Sequence, residues 1–266
     1  MDKCKKAIFI TVRTGSSRLP KKALLEINGR MTIEHLINRV KRSKKADIIV
    51  LCTTELPEDD ILCRIAERNG IRFHRGSVSD KLVRWMGAAE KYDVGFFVTA
   101  DGDDVFCEPE LIDLAFSQFE RTGADFIEGK NNICGSFTYG IKVSALKKVC
   151  EIKDSSDTEM MWVYFTETGL FKTETLDRVP KIFERPDIRM TLDYEDDFRF
   201  FKTIIEHFAA EGIEYFTLRD IVAYLDKNPE VIEMNRYLQE RFLSNQKSKT
   251  KLVLKRGVDV GKKNAE

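Results

Sequence analysis

Through the first half of the chain, short β-branched apolar runs alternate with segments whose apolar positions recur at helical spacing. AIFITV (7–12), DIIVLC (47–52), GIRFH (70–74) and VGFFVTA (94–100) read as strands. Where such runs are unbroken, both faces of the strand are expected to be buried. Between the first two, Ile33, Leu36, Ile37 and Val40 form one helical stripe. Between the second and third, Ile61, Leu62, Ile65 and Ala66 share a face, opened by Pro57 and acidic residues and closed by Gly70. DKLVRWMGAAEKY (80–92) predicts a third helix. This rhythm is that of an α/β fold, a mostly parallel central sheet with helices on both faces. Ligands of such sheets bind at the carboxyl ends of the strands, so the loops after 7–12 and 94–100 are where chemistry is sought.

The second half is less regular. Residues 124–143 alternate like antiparallel strands around a Gly/Asn-rich turn, RMTLD (189–193) reads as a strand, and 157–169 and 195–211 read as helices. TLRDIVAYLDKNP (217–229) and VIEMNRYLQERFL (231–243) predict two further amphipathic helices. One large domain over 1–243 is expected, with 131–188 as a smaller irregular α+β lobe. The basic, weakly apolar tail 244–266 is expected to be mobile.

Composition narrows the classes. Lys plus Arg and Asp plus Glu both number 44, so no global field draws the chain to nucleic acid or an anionic membrane. The N-terminal apolar run is too short for a secretory leader, and no stretch approaches a membrane span. The six cysteines form no C-x-x-C pair and there are only three histidines, so no structural zinc set is visible. Reduced thiols are expected, which fits the cytoplasm.

Three segments carry candidate chemistry. RTGSSRLPKKAL (13–24) follows the first strand and spaces Arg13, Arg18 and Lys22 around Gly15, Ser16 and Ser17. Cationic side chains and close backbone N–H approach are what a nucleoside triphosphate requires. The bland reading is a solvated basic loop, and neither a Walker A nor a dinucleotide glycine pattern is present. TADGDDVFCEPELID (99–113) gathers Asp101, Asp103 and Asp104 at a strand end. Helix capping accounts for Glu108 and Glu110 but not for aspartates so far upstream, so Mg²⁺ binding is the better reading. In RMTLDYEDDF (189–198), capping accounts for Asp196 or Asp197, whereas Asp193 ends a strand and could join Asp103 across a cleft to hold one Mg²⁺.

The order Arg13, Ser16, Arg18, Leu19, Pro20, Lys22 closely resembles the opening of cytidylyltransferases of the spore-coat polysaccharide biosynthesis protein F type. These are related to the KDO and acylneuraminate cytidylyltransferases. CTTELPEDDI (52–61), RGSVSDKLVRW (75–85), GDDVFCEPELID (102–113) and TLDYEDDF (191–198) follow as further blocks of that resemblance, which covers about residues 7–205. It implies a Rossmann-like, GT-A-like nucleotidyltransferase that transfers CMP from CTP to an acidic or phosphorylated sugar, releasing pyrophosphate. It implies that Arg13, Arg18 and Lys22, with Ser16 and Ser17, hold the triphosphate, with Thr53 and Asp101 also on the nucleotide side. Asp103 and Asp193 would hold Mg²⁺, and Arg75, Arg84 and Glu159 would face the acceptor. Relatives with this fold are commonly homodimers, and 131–188 is the expected acceptor or dimerisation lobe. Asp101 is also the candidate base, should the acceptor be an anomeric hydroxyl.

Three positions depart from the resemblance. Lys21 stands where glycine is usual, which is expected to alter the loop's bend. Val105 replaces a proline, and the histidine that commonly follows Glu159 is missing. Three rival readings remain: the same chemistry with another NTP such as GTP, a GT-A glycosyltransferase reading Asp101-Gly102-Asp103 as D-x-D, or a non-catalytic nucleotide-binding relative.

Overall fold

The structure, a computed structural model, describes residues 4–16, 18–130, 132–258 and 260–261. The first apolar run folds as β1 (Lys6–Thr11), and a hairpin of β2 (Glu26–Ile27) and β3 (Arg30–Met31) leads into α1 (Thr32–Val40). Then come β4 (Ile48–Thr54), α2 (Asp60–Arg68), β5 (Arg72–Gly76), α3 (Lys81–Tyr92), β6 (Phe96–Asp101) and α4 (Pro109–Thr122). The second half adds β7 (Phe126–Glu128), β8 (Tyr139–Lys142), α5 (Val143–Ile152), α6 (Val163–Thr166) and β9 (Thr173–Thr175). It ends with α7 (Glu195–Ala210), α8 (Leu218–Lys227), α9 (Pro229–Glu233) and α10 (Leu238–Lys249).

The main sheet has seven strands in the order β5-β4-β1-β6-β8-β7-β9. β1 is parallel to β4 on one edge and to β6 on the other, and β4 is parallel to β5. β8 alone runs against its neighbours β6 and β7. The unbroken apolar runs divide between two cores as strand geometry requires. Ile8, Ile10, Leu51, Val98 and Ala100 pack with α1, α2, α4, α7 and α8, while Ala7, Phe9, Val50, Cys52 and Phe97 pack with α3 and α5. This is the mostly parallel, two-sided sheet that the hydrophobic pattern predicts.

Local chemistry sets the helix ends. Asp80 caps α3 by accepting from Val83 N at 3.1 Å. Pro109 opens α4, and Gly123 closes it with a left-handed φ of 66°.

Three expectations differ from the structure. Residues 189–193 form no ladder: Arg189 makes an isolated bridge to Cys134. The amides of Met190 and Leu192 bond to Cys134 O and Asp103 O, two separate loops, each at 2.8 Å. Most of 157–169 is loop, with only Val163–Thr166 helical. There Thr158 bonds to Asp80 at 3.0 Å, and Ser155 accepts from the Asp157 amide at 3.1 Å, turn chemistry that competes with helix. The described chain beyond Ser244 is also better tied than expected, while 259 and 262–266 of that tail lie outside the described residues. α10 runs on to Lys249, and Asp154 N bonds to Val253 O at 2.8 Å while Lys255 N bonds to Ile152 O at 2.9 Å. Among the described residues all six cysteines are free thiols, and no helix is long and apolar enough to cross a membrane.

Candidate nucleotide-binding active site

Strand order reverses between β1 and β6, and at such a point the loops leaving the two strands open a crevice. Their close approach depends on Gly102. Its amide bonds to Thr11 O at 2.8 Å, and a Cβ there would stand 2.7 Å from the Val12 side chain. Gly135 is similar: its φ is 84°, and a Cβ would stand 1.9 Å from Met190 O. It lets the 133–138 turn lie against the segment that delivers Asp193.

Charges from three segments meet at this crevice. Lys22 Nζ lies 2.7 Å from Asp103 Oδ2 and 2.9 Å from Asp193 Oδ1. Arg18 Nη2 donates to Asp193 Oδ1 at 2.5 Å. Beneath them Arg189 reaches Asp193 Oδ2 at 3.3 Å and Asp197 Oδ1 at 2.9 Å. Asp197 in turn accepts from the amides of Asp193 and Tyr194 at 2.9 and 3.0 Å, so it is both the helix cap and the anchor of the arginine. Asp193 is fully buried.

Burial pushes its carboxyl up, but Lys22, Arg18 and Arg189 together hold it below the usual carboxylate range. Burial alone would lower the Lys22 pKa, and Asp103 and Asp193 raise it above the ordinary lysine value instead. An ammonium seated between two carboxylates marks a place for a cation. The oxygen-only donor set suits a hard divalent ion. Among the described residues no group of three His, Cys, Asp or Glu converges, so an ion at this place would take two carboxylates from the chain and its other ligands from water or phosphate.

The cleft around this cluster has a volume of about 460 Å³. Arg13, Ser16, Arg18, Lys22, Arg84, Asp101, Asp103 and Glu159 all line it. Ser17 lies outside the described residues. Arg13 donates to Glu159 Oε2 at 2.8 Å across the opening. Asp101 pairs with Lys81 Nζ at 3.1 Å, and the ammonium lies 5.0 Å from the Trp85 ring. Burial, partly offset by Lys81 and reinforced by Asp103, raises the Asp101 pKa. Asp104 is raised well above the carboxylate range by burial and by its neighbours Asp103 and Asp101. It has no cation partner among the described residues, and Thr138 Oγ1 lies 3.3 Å away.

Three expected site residues do not line the cleft: Asp193 is fully buried beneath Lys22 and Arg18, and Arg75 and Thr53 serve the fold elsewhere. Arg75 donates to the carbonyls of Thr54 and Leu56, both at 3.1 Å, and pairs with Asp60 at 2.6 Å, so it fastens the β4–α2 turn. Thr53 is fully buried in the sheet, and its hydroxyl has no hydrogen-bond partner. Sequence reasoning also missed residues. Asp59 accepts from Thr14 N at 2.7 Å and Thr14 Oγ1 at 2.8 Å, pinning the start of the basic loop. The acidic pair 59–60 was the available signal for it. Lys81, beside the Asp80 cap, gave none. α10 adds Gln239, Phe242, Leu243 and Gln246 to the wall.

Residues 7–248 match a family model described as cytidylyltransferase. The uncharacterized protein MJ1063 of Methanocaldococcus jannaschii is 32% identical over 235 residues, spanning 88% of this chain and 95% of that protein. The spore coat polysaccharide biosynthesis protein SpsF of Bacillus subtilis is 25% identical over 229 residues, 84% of this chain and 94% of that one. A cytidylyltransferase structure from Leptospira borgpetersenii superposes with a TM-score of 0.78 at 26% identity, covering 86% of this chain and 97% of that one. A CMP:2-keto-3-deoxy-manno-octonic acid synthetase solved with CTP shares the fold at a TM-score of 0.59 and 14% identity, with coverages of 76% and 99%.

Proposed function

The chain belongs to the cytidylyltransferase family, and from that premise we propose that it transfers CMP from CTP to a small acidic or phosphorylated sugar, releasing pyrophosphate. The observation that carries this reading is the cluster of Arg18 and Lys22 on Asp103 and Asp193 at the strand-order reversal. Cations and carboxylates neutralise one another while the cleft is empty of substrate. A metal-bound triphosphate offers each side a better partner, phosphate oxygens for the cations and the metal for the carboxylates.

Asp103 and Asp193 would hold Mg²⁺, which when bound supplies positive charge at the α-phosphate. Arg13, Arg18 and Lys22 would take the β- and γ-phosphates and stabilise the charge that grows on departing pyrophosphate. Asp59, through Thr14, keeps the loop that carries them in place. The acceptor would enter from the side of 129–139, 159–162 and α10 and place its oxygen in line with the leaving group. A sugar phosphate brings an ionised nucleophile. An anomeric hydroxyl needs a base, and Asp101, which lines the cleft and whose carboxyl pKa is raised by burial, would serve.

Relatedness to a spore-coat polysaccharide protein supports a role in making surface glycoconjugate precursors, and the free thiols fit the cytoplasm. Pairing of two copies through the 131–188 lobe is part of the same reading. Exposed Leu170 and Ile182 on that lobe support it, and sedimentation of the full chain tests it.

The test of the reaction is pyrophosphate release with Mg²⁺, crossing the four NTPs with sugar acids, sugar phosphates and phosphonates. Release with CTP and one acceptor is expected. Release with GTP alone would replace the donor, and failure to bind any NTP would overturn the reading.

A further inference from the structure

We propose that Arg84 reads the base of the nucleotide and selects cytosine, rather than facing the acceptor. This rests on the transferase reading above.

The first observation is a charge without a partner. Among the described residues, the cations buried as whole residues are Lys6, Arg39, Arg84 and Arg189. Lys6 has Glu120, Arg39 has Glu108, and Arg189 has Asp193 and Asp197. Arg84 is 5% exposed and has no carboxylate within ion-pair distance among the described residues. Its one hydrogen bond runs from Nη1 to Ser77 O at 2.5 Å, and its Nε is buried with no partner. Glu159, the acid nearest in kind, is committed to Arg13. Burying an unpaired guanidinium is costly, and the cost is recovered when a ligand supplies the acceptors.

The second observation is position. Arg84 lines the cleft from α3, which packs on β4 and β5, and its stem lies against Gly76 at the end of β5. The cations proposed for the triphosphate sit on the loop after β1, and of the proposed metal carboxylates Asp103 follows β6 and Asp193 lies on the segment bonded to the Asp103 loop. Segment 132–139 leads into β8 at Tyr139, and 159–162 and α10 line the cleft with it. In the strand order β5-β4-β1-β6-β8, the phosphates therefore lie in the middle, with Arg84 on one side and the acceptor wall on the other. In-line displacement sets the acceptor oxygen opposite the departing pyrophosphate and leaves the nucleoside equatorial, so with the acceptor wall on the β8 side the nucleoside takes the open Arg84 side.

The third step is chemical. With Nη1 spent on Ser77 O, the guanidinium keeps the Nε–Nη2 edge, two parallel N–H donors with no hydrogen bond among the described residues. Cytosine offers O2 and N3 as adjacent acceptors that match this fork. Uracil replaces the second with an N3–H donor, which cannot accept and faces a buried donor. The fork on two adjacent acceptors is the geometry by which arginine reads guanine in DNA. A site built around such a pair rejects a ligand that lacks one acceptor far more strongly than an apolar pocket rejects a missing methyl group.

The test is calorimetric titration of the full chain with CTP, UTP, GTP and 3-deazacytidine triphosphate, which carries C–H in place of N3. For the wild type, CTP is expected to bind at least about tenfold more tightly than UTP or the deaza analogue. Arg84→Met is expected to weaken CTP at least about tenfold and to bind CTP, UTP and the analogue alike. Arg84→Lys, a single point donor, should fall between. An unchanged CTP-to-UTP ratio in Arg84→Met would overturn the proposal, as would an equal loss for every nucleotide, which marks a phosphate or structural role. Should Arg84→Met fail to fold, the wild-type comparison decides: equal binding of CTP and the deaza analogue refutes base reading by Arg84. Absence of any NTP binding by the wild type removes the transferase reading itself, an outcome distinct from a preserved ratio.

Discussion

Arg13 Nη2 donates to Glu159 Oε2 at 2.8 Å, joining the phosphate loop to a segment 146 positions along the chain. The pair crosses the mouth of the cleft, with both side chains about half exposed. On the proposed reading a triphosphate would displace this carboxylate from Arg13.

Removing that competitor should favour nucleotide. Exposed ion pairs are worth about 0–1 kcal/mol, so Glu159→Gln is expected to tighten CTP binding by up to about fivefold. Titration of CTP into the variant measures this. If CTP affinity is unmoved while the acceptor KM rises, Glu159 belongs to the acceptor site instead.

The two central aspartates should respond differently to loss of charge. Asp103 is partly exposed and its one ion-pair partner among the described residues is Lys22, so Asp103→Asn is expected to lower kcat at least about 100-fold with little change in stability. Asp193 is fully buried beneath Arg18, Lys22 and Arg189. Asp193→Asn leaves those cations facing an amide and should cost about 3 kcal/mol of stability as well as activity. The figure is at the low end of the usual range because Arg18 is a third exposed. Pyrophosphate release and denaturant midpoints on both variants separate the two effects, and equal midpoints would show that Asp193 is not a structural anchor.

How much of this was legible in the sequence follows from how local each signal is. The four strands and the helices between them follow from apolar period alone, since each element buries its own stripe. Asp103 was readable because an aspartate at a strand end has no capping task to explain it. Arg75 and Thr53 misled because a strand residue's type does not tell which face or loop its side chain serves, and both serve the β4 edge. Lys81 and Asp59 were missed because their importance lies in partners 20 and 45 residues away, Asp101 and Thr14. α10 was cut short because its anchors are distant too: Gln239 meets Arg189, and the Phe242 ring lies 4.7 Å from that guanidinium.

Lys21 offers a test of backbone strain. It stands where the resembling family has glycine, and Lys21 sits at φ 54°, ψ 29°, in the left-handed region that favours glycine. An L side chain there costs about 1–2 kcal/mol, and glycine gives part of that back as unfolded-state entropy. Lys21→Gly is therefore expected to stabilise the chain by about 0.5–1 kcal/mol, a Tm rise of about 2–3 °C. Kinetics should be little changed, because Lys21 is exposed and does not line the cleft. A lower Tm would mean that the side chain contributes more than its strain costs.

His35 sets a pH dependence whose sign follows from its surroundings. Its Nε2 lies 2.9 Å from Ile27 O, and burial lowers its pKa below the ordinary histidine value despite that bond. Between the depressed folded pKa and the unfolded value of about 6.5, the unfolded chain binds more protons than the folded one. Stability then rises with pH: the contribution is complete above about pH 6.5 and is lost as pH falls through the folded pKa. His74 is lowered by burial as well and slopes the same way, so the wild type alone cannot apportion the effect. His35→Gln keeps an N–H donor for Ile27 O and removes one titration. The difference in denaturant midpoint between wild type and variant should therefore shrink, or change sign, from about pH 7.5 to about pH 5. Parallel curves over that range would show that His35 binds protons equally in both states.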